Sequence, residues 1–271
     1  MKKWTKSIAL ILVLALALML VAACGSGSKG AVDKIKKAGK LTMLTNAAFA
    51  PYEYVDEANG VNGVAGVDVE IAKAIADELG VSLEVVNMDF DGIVASVQTG
   101  KGDLGIAGIT NRPDRAEVVD FSINYVDTAQ LILTDEATAK ELAGKSADDL
   151  VAWLDGKNVG VQSGTTGHNF VDEETGGKAT PYKTAPDAAI ELANGKLDAV
   201  VIDEMPAKQL AATNEGLAVV EEPLTTEQYA IAIAKENTDL KDVVNKVLEK
   251  LIKDGKVDAW IEQHKAASEG K

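Results

Sequence analysis

Apolar positions follow different rhythms in different parts of this chain. Residues 8–23 are continuously apolar. Val67, Ile71, Ile75 and Leu79 recur at every fourth position, which predicts a helix over 67–79 with one buried face, closed by Gly80. Short apolar runs at 41–45, 81–86 and 104–109 predict strands. Between them, Asn46 to Tyr52 reads as a loop in which Pro51 stops any helix, and Asn59-Gly60 and Asn62-Gly63 mark turns. Asp91 is expected to cap a short helix over 92–99, ended by Gly100. Strand, helix, strand, helix, strand in that order predicts a largely parallel sheet with helices on both faces.

A second unit of the same kind begins near Asp148. Strands are predicted at 157–161 and 197–202, with helices starting at His168 and spanning 185–193. The two units echo one another. Gln98-Thr-Gly-Lys-Gly-Asp103 is matched by Ala193-Asn-Gly-Lys-Leu-Asp198, each time a helix stop at Gly, then Lys, then an Asp opening a buried strand. Extended segments at 126–134 and 226–234 flank the second unit. A strongly periodic helix (Leu240, Val244, Val247, Leu248, Leu251) and a last short helix carrying Trp260 follow. If that C-terminal part packs on the first unit, the chain crosses between two α/β lobes twice, and the cleft between them is where such a protein holds a ligand.

The N-terminal apolar run is preceded by Lys2, Lys3 and Lys6 and is short for a membrane span. It ends in Val-Ala-Ala-Cys24, the pattern of a bacterial lipoprotein signal, with Cys24 the only cysteine of the chain. A cleaved secretory signal or an uncleaved anchor are the alternatives. Residues 1–23 are read as the signal and residues 24–30, rich in Gly and Ser, as a flexible tether. Without the three N-terminal lysines, 24 basic side chains face 42 acidic ones, a formal charge of −18. Such a chain is poorly suited to nucleic acid or anionic lipid.

Only two arginines occur, Arg112 and Arg115, and both fall within the four residues Arg112-Pro113-Asp114-Arg115. Arginine offers two parallel donors that match a carboxylate, which lysine does not. Pro113 suits the first turn of a helix, so Arg115 falls at a helix start, itself favourable to an anion. With Gly108 and Thr110 this describes a socket for one small carboxylate. The alternative is pairing with a local acid such as Asp114, Glu117 or Asp120. Other chemistry is not supported: His168 and His264 lack metal-ligand spacing, Ser163 lies outside any nucleophile elbow, and the glycine turn at 163–167 lacks a phosphate loop's lysine. No metal or cofactor is expected.

Thr45-Asn-Ala-Ala-Phe-Ala-Pro-Tyr52, Gly66-Val-Asp-Val69, Met88-Asp-Phe90, Ala107-Gly-Ile-Thr110, Asp114-Arg115, Val119-Asp-Phe-Ser122, Ser163-Gly-Thr165, Asp198-Ala-Val200 with Asp203, and Gln228-Tyr229 occur in order. Together they resemble the polar amino-acid substrate-binding proteins of bacterial ABC importers. The resemblance implies an α/β, two-lobed periplasmic-binding-protein fold that closes like a flytrap. Lobe 1 would comprise 31–126 and 229–271, lobe 2 residues 133–222, with hinge segments 127–132 and 223–228. It further implies that Arg115 grips a ligand α-carboxylate and Asp203 its α-ammonium. Gly108 and Thr110 would contact the amino acid's main-chain groups, Thr165 would offer an N–H, and Phe49 and Phe90 would sandwich the side chain. Asn46 stands where many relatives carry an acid, which favours a neutral polar ligand over a cationic one, and Thr166 stands where Gly is common, narrowing the pocket. The expected protein is a monomeric extracytoplasmic lipoprotein, held to the membrane through Cys24, that passes a free amino acid to a permease. An enzyme on the same fold, with Glu173 or Glu174 as the acid, or a ligand-sensing input protein are the alternatives.

Overall fold

The computed structural model describes residues 30–268. The expected signal, Cys24 and most of the expected tether lie outside that range. Two five-stranded sheets, each with its own helices, account for most of the chain.

The first lobe opens with helix α1 (Ala31–Ala38), strand β1 (Lys40–Thr45), a small three-stranded sheet of β2 (Ala48–Phe49), β3 (Glu53–Val55) and β4 (Val64–Ala65), and helix α2 (Val67–Leu79). Strand β5 (Ser82–Asn87), a 3-10 turn (Phe90–Gly92), α3 (Ile93–Gln98), β6 (Leu104–Gly105), α4 (Pro113–Ala116) and β7 (Val119–Phe121) follow. The second lobe contains β8 (Val126–Asp135), α5 (Glu136–Leu142), α6 (Ala147–Leu154), β9 (Asn158–Gln162), α7 (Thr166–Glu174), β10 (Lys178–Tyr182), α8 (Ala185–Ala193), β11 (Ala199–Asp203), α9 (Glu204–Thr213) and β12 (Leu217–Tyr229). The chain then returns through β13 (Ala232–Ala234), α10 (Thr238–Lys253) and α11 (Lys256–Ser268).

Sheet order in the first lobe is β5-β1-β6-β13-β7, parallel except for β13, and in the second β10-β9-β11-β8-β12, with β8 and β12 antiparallel to their neighbours. The first core centres on Leu41, Met43, Ile71, Ile75 and Leu104. Leu240, Val244 and Leu248 of the returning helix α10 pack into it, so the C-terminal segment belongs to the first lobe. Leu150, Leu154, Val159, Val161 and Val171 form a separate core in the second lobe.

The sequence echo is a structural one. Gly100 and Gly195 both adopt left-handed backbone, φ 71° and 73°. Beyond them, the Asp103 carboxylate accepts the Thr42 N–H at 2.8 Å and the Asp198 carboxylate the Asn158 N–H at 2.7 Å. Each aspartate thus pins its own strand to the one beside it.

Several local expectations fail. The strand predicted over 104–109 pairs only at Leu104–Gly105, because Gly108 turns the backbone to φ +55° and takes the chain out of the sheet. Asp91 makes no cap bond; the 3-10 turn intervenes, and its carboxylate faces Ser163 Oγ of the other lobe at 3.4 Å.

Candidate functional site

Loops at the ends of β1, β5, β6, β9 and β11 converge where the two lobes meet. Twelve residues there line one cavity of about 300 Å3, mouth included. It contains all nine residues singled out in the sequence: Asn46, Phe49, Phe90, Gly108, Thr110, Arg115, Thr165, Thr166 and Asp203. Glu53, Ala107 and Gln162 complete the wall.

The two arginines divide the roles that the sequence left open. Arg112 takes the local acid: its Nε and Nη2 donate to the two oxygens of Asp114 at 3.0 and 2.7 Å. This hydrogen-bonded pair holds the Asp114 carboxyl down at about 2. Arg115 is buried, 6% exposed, and its guanidinium donates to two carbonyls, Thr110 O and Gly164 O, both at 2.9 Å. Phe90 lies under it, ring centroid 5.5 Å from Cζ. Burial lowers its pKa to about 10. It remains a full cation at neutral pH, short of counter-charge in a poorly solvated place.

Asp203 ends β11 and is 6% exposed. It occupies the position before α9, yet its side chain makes no cap bond. It accepts the Tyr229 hydroxyl at 2.7 Å instead. Desolvation, and next the charge of Glu227, push its pKa up to about 7.

Other side chains are committed to holding the walls. Asn46 donates to Met88 O at 2.8 Å, and its Oδ1 accepts from Gln162 Nε2 of the second lobe at 2.9 Å. Its amide is therefore a strut across the cleft, which weakens its use as an indicator of the ligand. Lys183 reaches Asp89 across the mouth at 2.6 Å and Arg112 Nη1 reaches Thr165 O at 3.3 Å. The Thr165 N–H is spent on Gln162 O at 3.3 Å and its hydroxyl caps α7 by accepting from His168 N. Gly108 donates its N–H to Asp68 at 3.0 Å, leaving its carbonyl for other work. Phe49 packs with Tyr52 and Tyr229, at centroid distances of 5.9 and 6.4 Å.

A Cβ on Gly108 would sit 2.8 Å from the Phe49 ring and 3.3 Å from Tyr229 Cζ, at a positive φ. Gly108→Ala is expected to lower stability by about 2 kcal/mol through backbone strain and overpacking. Thermal denaturation measures it.

Two acids escaped the sequence reading. Glu53, fully buried, has no donor within reach of either oxygen. Only in its acid form is it satisfied, giving its proton to Asp68; desolvation first, and then Asp68's charge, raise its pKa well above the ordinary value. Glu227 receives the hydroxyl protons of Thr110 and Thr166 on one oxygen, at 2.6 and 2.8 Å. No sequence signal marks Glu53 beyond its place after Pro51-Tyr52; Glu227 is foreshadowed only by neighbouring Gln228-Tyr229. The suspected enzymatic acids Glu173 and Glu174 are exposed on α7 and do not line the cavity.

Residues 41–266 match the family described as bacterial extracellular solute-binding proteins, family 3. The arginine-binding extracellular protein ArtP of Bacillus subtilis is 32% identical over 95% of this chain and 96% of its own. A probable histidine-binding protein of Neisseria gonorrhoeae is 31% identical over 95% and 93%. Among solved structures, an amino acid ABC transporter substrate-binding protein of Streptococcus pneumoniae bound to L-arginine superposes with a TM-score of 0.80. It is 38% identical, covering 88% of this chain and 98% of that one.

Proposed function

The chain belongs to the bacterial extracellular solute-binding proteins, family 3, and on that premise we propose that it captures a free amino acid between its lobes and delivers it to an ABC permease. One observation carries the reading: a guanidinium and a carboxylate, both buried, enter one cavity from different lobes. A zwitterion needs one of each. The α-carboxylate lies against Arg115 and the first free N–H of α7, that of Thr166, at a helix start that favours an anion. The α-ammonium lies against Asp203 and the Gly108 carbonyl. Phe49 and Phe90 hold the side chain.

The ligand's side chain is the finer point. With Asn46 tied up as a strut, the wall's remaining acid is Glu53, a buried carboxyl that no donor reaches and that only its proton to Asp68 satisfies. Its ionised form is costly there, and a cationic side chain would pair with that form. We therefore favour a cationic amino acid over the neutral one that Asn46 suggested, in keeping with the ArtP and pneumococcal relatives. A thermal-shift screen of the common amino acids should single out L-arginine, because saturation at 100 times Kd adds about 2.7 kcal/mol. Its neutral isostere L-citrulline should bind at least tenfold more weakly, and Glu53→Gln should close that gap. Equal binding of the two by the unmutated protein would overturn the cationic assignment; no amino acid stabilising it would overturn the receptor reading.

Closure is a rotation of the lobes about the paired strands β8 and β12, and the protein works as a monomer. Binding occurs without turnover: calorimetry of the complex should show heat of association and no product. Cys24, at the end of the signal-like segment, anchors the protein to the membrane by lipid, at roughly 0.8 kcal/mol per buried CH2.

A further inference from the structure

Strand β12 passes under the cavity between the lobes, and its alternation puts Glu227 and Tyr229 on one face. Tyr229 meets Asp203 of the second lobe. Glu227 meets both lobes at once: Thr110 follows the first-lobe strand β6, Thr166 begins α7 of the second, and a single Glu227 oxygen accepts from each. An ionised carboxylate only accepts, and a hydroxyl has one proton to give. Both threonine protons are therefore turned away from the rest of the cavity, and both oxygens present lone pairs to it. Thr166 Oγ is steadied further by Gln130 Nε2 at 3.3 Å.

We propose that Glu227 is a positioning residue for the ligand's ammonium group, which clasps Thr110 to Thr166 when the lobes meet and fixes both hydroxyls as acceptors. The proposal rests on the amino-acid reading above and adds to it the mechanism by which closure completes the cationic half of the site. Two acceptors and a carboxylate then converge on one ammonium only in the closed form. This gives the ligand a reason to bind that form more tightly, which is the condition for it to shift the population. The titratable groups that act on the Asp203 carboxyl are Glu227, Arg115, Glu53, Tyr52 and Tyr229. Of these, Glu227 is the one that raises Asp203 most after burial itself.

The test is calorimetric titration of L-arginine into the full chain between pH 5 and pH 9. Glu227→Gln, with the same shape and no charge, is expected to lose at least tenfold in affinity at pH 8 and to move the midpoint of the affinity–pH curve to lower pH. Thr166→Val removes one clasp donor while keeping the Glu227 charge, and should lose affinity with the midpoint in place. Should Glu227→Gln bind as tightly as the unmutated protein, or lose affinity with no change of midpoint, the proposal is overturned. If L-arginine does not bind the unmutated protein, the amino acid found in the screen replaces it. An unmutated protein that binds none overturns the receptor reading, a failure distinct from that of the clasp alone.

Discussion

Arg115→Ala is expected to abolish amino-acid binding while the fold survives. The guanidinium is positioned from three sides: by the Thr110 carbonyl of its own lobe, the Gly164 carbonyl of the other, and the Phe90 ring. None of these contacts neutralises it. Its charge is thus available to a carboxylate in a place with little water to compete. Truncating one member of a buried, hydrogen-bonded charge pair costs about 2–5 kcal/mol, so an affinity loss on the order of a thousandfold is expected. The lobe cores are formed without this side chain, and thermal unfolding should shift by only a few degrees. Arg115→Lys restores charge without the fork and should recover a small part of the loss. Micromolar binding by the alanine variant, measured by calorimetry on folded protein, would remove the central assignment.

Asp203→Asn is expected to weaken binding about a hundredfold and to flatten its pH dependence, given the roughly 2–5 kcal/mol at stake in a buried charge pair. The sign follows from a pKa of about 7 in the folded protein against 3.8 for the free group. Between those values the folded chain keeps a proton that the unfolded chain releases. Stability from this group therefore falls as pH rises through that interval, and the penalty is complete above about 7. An ammonium ligand removes the penalty by pairing with the ionised form. Affinity should accordingly rise about tenfold from pH 6 to pH 8, as the ionised fraction goes from about a tenth to about nine-tenths. The ligand-free Asn variant should gain on the unmutated protein in thermal stability as pH is raised from 5 to 8. A steep pH dependence surviving in Asp203→Asn would show that another group titrates.

What the sequence made legible has a common physical character. Helices Val67–Leu79 and Ala185–Ala193 follow from local signals: apolar spacing of four with a following glycine in one, and a Thr184 cap with Pro186 in the first turn of the other. The paired aspartates 103 and 198 were visible because each acts on a neighbouring strand in the same way, so the segments around them look alike. Arg115 stood out through rarity. The choice between Arg112 and Arg115 as partner of Asp114 was not legible, since it depends on which of two adjacent side chains the second lobe covers. The strut made by Asn46 was hidden for a related reason: its partners, Met88 and Gln162, lie 42 and 116 residues away. Glu53 looks like an ordinary polar residue between two tyrosines. It is fully buried next to Asp68, 15 residues on, and nothing adjacent in sequence announces that. Glu227 is similar: two threonines from opposite lobes give it a role that neither neighbourhood encodes.

Strands β8 and β12 stay paired down to Val126 and Tyr229, beside the first lobe, and the pairing is irregular between Val220 and Thr225. Two tethers joined edge to edge behave as a strap and not as two independent strings. A strap bends across its width far more readily than it twists or shears, so the halves have essentially one path of approach. On the proposed reading, a captured molecule would meet its anionic and cationic partners in the same stroke, and one that matches only one of them would leave the stroke unfinished.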